Sequence, residues 1–494
     1  MWLGFVHIGT QVFSVPVQVV LSLGVQGFGE PSMRIVFVHG WSVTNTDTYG
    51  DLPAVLVASS QRGLRIAVDH LYLGKYVSFS DEVTVDDIAR GMQFAVSAEI
   101  LPKLADGERF ACITHSTGGP VVRSWITLFY GDRLDQCPLS HLVMLAPANH
   151  GSALAQLGKG KLARMKFFAD GVQPGVGVLS WLELGSEGSW ALNSTWLGYD
   201  TTAAGLYTFV LTGQTIDRSF YDNLNTYTGE AGSDGVVRVA AANMNYSFIR
   251  LEQQEGGFRI VNKGLSSVTA FAVLADKAHS GDDLGIMKSV RRDSGSQHET
   301  VVQVLQCLRV RTAKEYGACI KAFDTLTGKT QELERKRVQK SLFLLKRTFS
   351  TSRYFMLVFK VCDDRGNNLT DYDIVFTAGP DYDPNHLPPD FVIDRQRNSQ
   401  SPGKLTYYLD YDVMAEWFPK KQVQDRFGFR ISARPDAGFA YYTVCEHRGT
   451  YSDFAQYFRP NQTVMVEIVL QRHVRSGVFA LTQDLSPQDF HDQG

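Results

Sequence analysis

Short apolar runs closed by glycine, proline or polar residues punctuate the first part of the chain, at 35–40, 66–73, 110–115, 140–147, 206–212 and 267–274. Their hydrophobicity is continuous rather than alternating, which predicts strands covered on both faces, as in a parallel sheet. Between them the period changes. Residues 85–104 space Ile88, Met92, Val96 and Ile100 one helical turn apart, and Pro120-Val-Val-Arg-Ser-Trp125 opens a second helix directly after a strand. Leu284-Gly-Ile-Met287 begins another amphipathic helix, and 299–308 closes the series. Strand alternating with helix predicts an α/β domain with a mostly parallel sheet flanked by helices.

Beyond Arg353 short strand-like runs dominate, at 354–361, 373–377, 404–410, 428–432, 441–444 and 463–470. Turn signals such as Asp363-Asp-Arg-Gly366 and Gly379-Pro-Asp-Tyr-Asp-Pro384 separate them, predicting an antiparallel β-sandwich. Asp381 and Asp383 lack the further oxygen ligands that a calcium loop needs. The charged stretch 332–340 reads as a solvated connector. The expected organisation is therefore an extension at 1–32, the α/β domain at 33–310, a connector at 311–350, a sandwich at 351–480 and a polar tail at 481–494. Residues 2–29 are apolar without Lys or Arg, so they lack the charged start of a secretory signal and no run reaches a membrane span. Met33 reads as the start of the domain, with 1–32 an upstream or membrane-touching appendage.

Composition narrows the chemistry. A chain of 494 residues with 44% hydrophobic content accommodates two domains, and a net charge of -3 gives no broad nucleic-acid surface. Six scattered cysteines include no Cys-x-x-Cys pair and no metal-ligand spacing, so neither a zinc site nor another cofactor is expected.

The run at 110–115 ends in Thr114-His-Ser-Thr-Gly118, and a helix follows. Strand, sharp turn and helix around a serine form the nucleophile elbow of α/β-hydrolases, which makes Ser116 the candidate nucleophile. Thr114 stands where the usual pattern has its first glycine. By position, the backbone amides of Trp41, in the loop after the first strand, and Thr117, after the serine, would form the oxyanion hole. Asp234 sits in the glycine turn Gly232-Ser-Asp-Gly235, and His279 directly follows the strand at 267–274. Serine, acid and histidine thus occur in hydrolase order, each after a predicted strand. Asp222, Asp276 and Asp282 compete for the acid role, and His150 for the base, although it precedes the acid. Residues 153–199, rich in Gly, Leu, Trp and Lys, read partly as a cap over the serine and partly as core.

With these positions placed, the sequence resembles the PlaB family of bacterial phospholipases A. The likeness rests on Thr114-His-Ser-Thr-Gly118, Val36-Phe-Val-His-Gly-Trp-Ser-Val-Thr-Asn-Thr46, Gly232-Ser-Asp-Gly235 and Ala278-His-Ser280. It implies phospholipase A and lysophospholipase activity, work at a phospholipid membrane surface, association with the bacterial outer membrane without a conventional signal peptide, and self-association into a homo-oligomer. A soluble carboxylesterase or thioesterase, and a non-catalytic adhesion or scaffold protein, are the rival expectations.

Overall fold

The computed structural model describes residues 32–39, 48–60, 64–78, 80–158, 175–216, 230–293, 295–345, 353–421, 423–435 and 438–476. The continuous apolar runs form β1 (Ser32–His39), β2 (Arg65–Tyr72), β3 (Phe110–His115), β4 (Leu139–Leu145), β5 (Tyr207–Gly213) and β8 (Ala270–Leu274). They make one six-stranded sheet in the order β2-β1-β3-β4-β5-β8, every pair parallel. Helices α1 (Leu52–Ala58), α2 (Val85–Ala95) and α3 (Gly118–Tyr130) begin to cover it. Ile88, Met92, Val122 and Trp125 pack on one face, and Leu52, Leu56, Val301 and Val304 on the other. This is why these strands carry no polar alternation. The helix predicted over 85–104 leaves α-geometry at Ala95, continuing through a wide turn at Val96–Ile100 and a tight one at Leu101–Lys103 that contains Pro102.

Two features depart from the expected domain limits. Residues 311–350 are not simply a connector: a helix spans Ala313–Leu345, and its first turns bury Tyr316, Cys319 and Phe323 against the parallel sheet. Thr327 Oγ1 on this helix accepts from the Val273 amide at 3.0 Å, closing the open edge of β8. The second departure is the hairpin β6 (Tyr246–Gln254) and β7 (Gly257–Leu265), which leaves the hydrolase segment and joins the C-terminal sheet.

That sheet runs β11-β12-β9-β16-β6-β7, with β9 (Tyr354–Asp363), β11 (Val392–Arg397), β12 (Lys404–Asp410) and β16 (Thr463–Leu470). Its β9-β16 and β16-β6 pairs are parallel. The antiparallel sheet of β10 (Tyr372–Ala378), β13 (Arg426–Ala433) and β15 (Cys445–Thr450) shares a core with it through Phe355, Phe359, Phe376, Tyr407, Phe427 and Ile468. The outer face of the large sheet is partly covered. Tyr354, Met356 and Tyr408 enter the hydrolase core, and Val358 and Met465 meet Trp190. The sandwich is thus seated on the hydrolase domain through the central strands of this sheet. Asp383 caps the turn Pro384–His386 by accepting from the Asn385 amide at 2.7 Å.

Gly213 ends β5 where the chain meets the loop that leads to His279. A side chain there would overlap the Lys277 carbonyl oxygen, which accepts from the Thr215 amide at 3.1 Å. Gly213→Ala is expected to cost about 2–3 kcal/mol through overpacking against backbone. Thermal unfolding checks this, and an unchanged midpoint would show that the loop yields freely.

Candidate active site

The parallel sheet delivers its functional side chains at the carboxyl ends of β3, β5 and β8. Ser116 follows β3 with φ of 52°, in the left-handed region that serine rarely adopts. The strain is held by three backbone bonds: Ser116 N–H to Leu145 O at 3.0 Å, and the Gly119 and Ala148 amides to Ser116 O at 3.2 and 3.3 Å. Thr114 fits in the elbow because Gly118 faces it: a Cβ on Gly118 would lie 3.1 Å from Thr114 Cβ. The glycine needed for close approach is supplied on the helix side of the turn.

His279 Nε2 lies 3.0 Å from Ser116 Oγ, and His279 Nδ1 lies 2.9 Å from Asp234 Oδ2. Asp234 is fully buried and His279 nearly so. The other carboxylate oxygen of Asp234 accepts from the amides of Val236 at 3.0 Å and Val237 at 2.8 Å. One oxygen is therefore committed to the loop's own backbone, and the second faces the imidazole. The His279 amide donates to Asp234 O at 2.9 Å, tying the two loops directly. The structure thus brings together the three residues singled out from the sequence.

The other sequence candidates fall elsewhere. His150 is buried, packs edge-on against Tyr246 with ring centroids 4.8 Å apart, and is pushed down to about 3 by burial and by the Arg123 charge. It is a neutral packing residue, not a base. Asp282 is exposed, and Asp276 adopts a left-handed turn conformation ahead of the histidine loop. Asp222 and Trp41 lie outside the described residues. Thr117 heads α3, and among the described residues its N–H has no hydrogen-bond partner, leaving it available to a developing oxyanion beside Ser116. Trp181, Trp190 and Trp196, from the stretch read partly as a cap, are buried, Trp181 and Trp196 in the hydrolase core and Trp190 against Val358 and Met465 of the sandwich, while 159–174 lie outside the described residues.

Sequence reasoning missed His115. Its Nε2 donates to the His279 carbonyl at 3.1 Å and the two rings stand 4.6 Å apart. Burial and the His279 neighbour hold His115 well below the usual histidine range, so it stays neutral beside the base. Adjacency to the serine was the available signal. Arg123, fully buried beneath the elbow and pushed down to about 10 by burial, spans Asn149 Oδ1 at 3.2 Å and Asn193 Oδ1 at 2.8 Å. Nothing in its spacing marked it.

No protein-family model and no curated protein matches the chain. Among solved structures, the phospholipase PlaB from Legionella pneumophila superposes with a TM-score of 0.82, at 48% identity over 92% of this chain and 97% of that one. The same protein in complex with thio-NAD gives a TM-score of 0.82 at 47% identity over the same shares.

Proposed function

The chain belongs to the PlaB family of phospholipases and is a carboxylic ester hydrolase, and we propose that Ser116, His279 and Asp234 carry its reaction on glycerophospholipids and lysophospholipids. The observation that carries this assignment is the pair of contacts on His279, 3.0 Å to the serine hydroxyl and 2.9 Å to the buried carboxylate. His279 Nε2 takes the proton of Ser116 as its oxygen attacks the acyl carbonyl, while Asp234 holds the ring with its proton on Nδ1. The Thr117 amide receives the charge that develops on the carbonyl oxygen. The imidazolium then protonates the departing glycerol oxygen. Water, activated the same way, frees Ser116 and releases the fatty acid.

The remaining expectations are part of this reading: action at a phospholipid surface, outer-membrane association and self-association. Among the described residues no helix is long and apolar enough to cross a membrane, so a peripheral mode fits them. The test is product analysis with vesicles of diacyl and of lyso-phospholipid beside a short soluble ester. Free fatty acid is expected from both lipids. Cleavage of the short ester alone, with vesicles left intact, would replace this reading by the esterase one.

A further inference from the structure

The loop that carries Asp234 is gripped from both domains. On the hydrolase side, Ser152 Oγ donates to the Val236 carbonyl at 2.6 Å. On the sandwich side, Tyr408 of β12 donates its hydroxyl to the carbonyls of Ala231 at 3.0 Å and Gly232 at 3.2 Å, across 177 and 176 residues of chain. Gly232 has φ of 72°, and a Cβ there would collide with the Tyr354 ring and the Tyr408 hydroxyl. Arg238 closes the loop. Its guanidinium is 1% exposed, donates from Nε and Nη2 to the two oxygens of Glu230 at 2.8 Å each, and also reaches Asp394 of β11. The guanidinium carbon lies 4.2 Å from the centre of the Tyr408 ring. Burial opposes its charge, but Glu230 and Asp394 outweigh that and hold it above the usual arginine range. Just beyond, Thr463 Oγ1 donates to the Ala240 carbonyl at 2.9 Å and Asn243 Nδ2 to the Asn461 carbonyl at 2.7 Å.

A buried ion cluster is a poor source of stability, because desolvation offsets most of its attraction. What this one supplies is position. The geometry points to the C-terminal sandwich as part of the catalytic centre: Tyr408 and Asp394, acting through Gly232 and Arg238, are positioning residues that hold loop 230–239 so that Asp234 meets His279. The inference rests on Asp234 being the triad acid.

The test uses the full-length protein, a soluble chromogenic ester, and Tyr408→Phe and Asp394→Asn made singly and on an Asp234→Asn background, with near-ultraviolet circular dichroism as the fold check. Tyr408→Phe keeps the ring under Arg238 and removes only the donor. Each single variant is expected to lower kcat about 10-fold with KM within about 2-fold, since small displacements of a catalytic group are costly. On the Asp234→Asn background the same changes should cost less than about 2-fold, because residues that act through one group are not additive. Asp394→Glu should recover part of the loss. An equal fold-loss on both backgrounds, or no loss in a well-folded single variant, would overturn the clamp. If Tyr408→Phe fails to fold, Asp394→Asn carries the same comparison. If Asp234→Asn leaves turnover intact, the triad assignment falls and the clamp with it. A crippled Asp234→Asn beside a silent Tyr408→Phe removes the clamp alone.

Discussion

Asp234→Asn is expected to lower kcat by about 10⁴-fold and Ser116→Ala by about 10⁶-fold, the second the larger because it removes the bond-forming atom itself. The cost of the asparagine follows from which way it must face. Asp234 Oδ1 accepts two amide hydrogens, from Val236 and Val237, so an amide at this position is obliged to place its oxygen there. Its NH₂ then points at His279 Nδ1, 2.9 Å away in the native site. A donor at that point forces the ring to carry its proton on Nε2, where it faces Ser116 and cannot accept the hydroxyl hydrogen. The shape of the site survives while its base is in the wrong tautomer. Fluorophosphonate labelling of Ser116 and hydrolysis of a soluble ester both read this directly. The Ser116→Ala/Asp234→Asn double variant should be no slower than Ser116→Ala alone. Asp234→Asn retaining a tenth of native turnover would remove the aspartate from the mechanism.

The candidate triad was legible because its signals are local. Ser116 and His279 closely follow buried strands, which announce themselves as continuous apolar runs closed by small residues, and Asp234 sits in the glycine turn Gly232-Ser-Asp-Gly235. Even Thr114, which breaks the usual glycine pattern, is answered by Gly118 within the same turn. The seating of the second domain was harder to read, because it depends on contacts across more than 150 residues of chain. One trace of it was present. Residues 354–361 are apolar without alternation, which a sandwich strand with a wet outer face would not be; β9 is covered by the sandwich core on one side and by the hydrolase core on the other. The hairpin β6-β7 also left a mark, since Ile249, Leu251 and Gln253 are buried in alternation before the turn at Gly256 and Gly257. Reading that segment as part of the hydrolase domain hid its pairing with β16. Nothing in the sequence joined Tyr408 to Gly232, because a hydroxyl bonded to a carbonyl leaves no compositional trace.

Acidification from pH 7 to pH 5.5 is expected to remove about 4 kcal/mol of folding stability from the hydrolase domain, before any carboxylate titrates. Buried histidines that stay neutral in the fold carry the effect, and His39, His141 and His150 account for about 4 kcal/mol of it. His39, at the end of β1, is pushed down to about 3 by burial and then by His70, whose Nδ1 lies 2.9 Å from its Nε2. His141, in β4, is pushed down to about 4 by burial, although its Nε2 bond to the Val310 carbonyl at 2.8 Å opposes the shift. His150, beside Arg123, is pushed down to about 3. In the unfolded chain each takes up its proton near 6.5. Between about pH 6.5 and pH 4 the unfolded state therefore binds more protons than the native one, and stability falls as the pH falls. Above about pH 6.5 the penalty is absent. Each histidine loses about 1.4 kcal/mol one unit below its unfolded value, a loss large against the 5–15 kcal/mol that holds a typical domain. The thermal midpoint should drop by about 8 °C between the two pH values at matched ionic strength. His150→Phe keeps a ring against Tyr246 and cannot titrate, so the drop should shrink by its share, about 1.3 kcal/mol. A midpoint that is flat across this range, or a drop that His150→Phe leaves whole, would show that these histidines do not govern the acid limit of the fold.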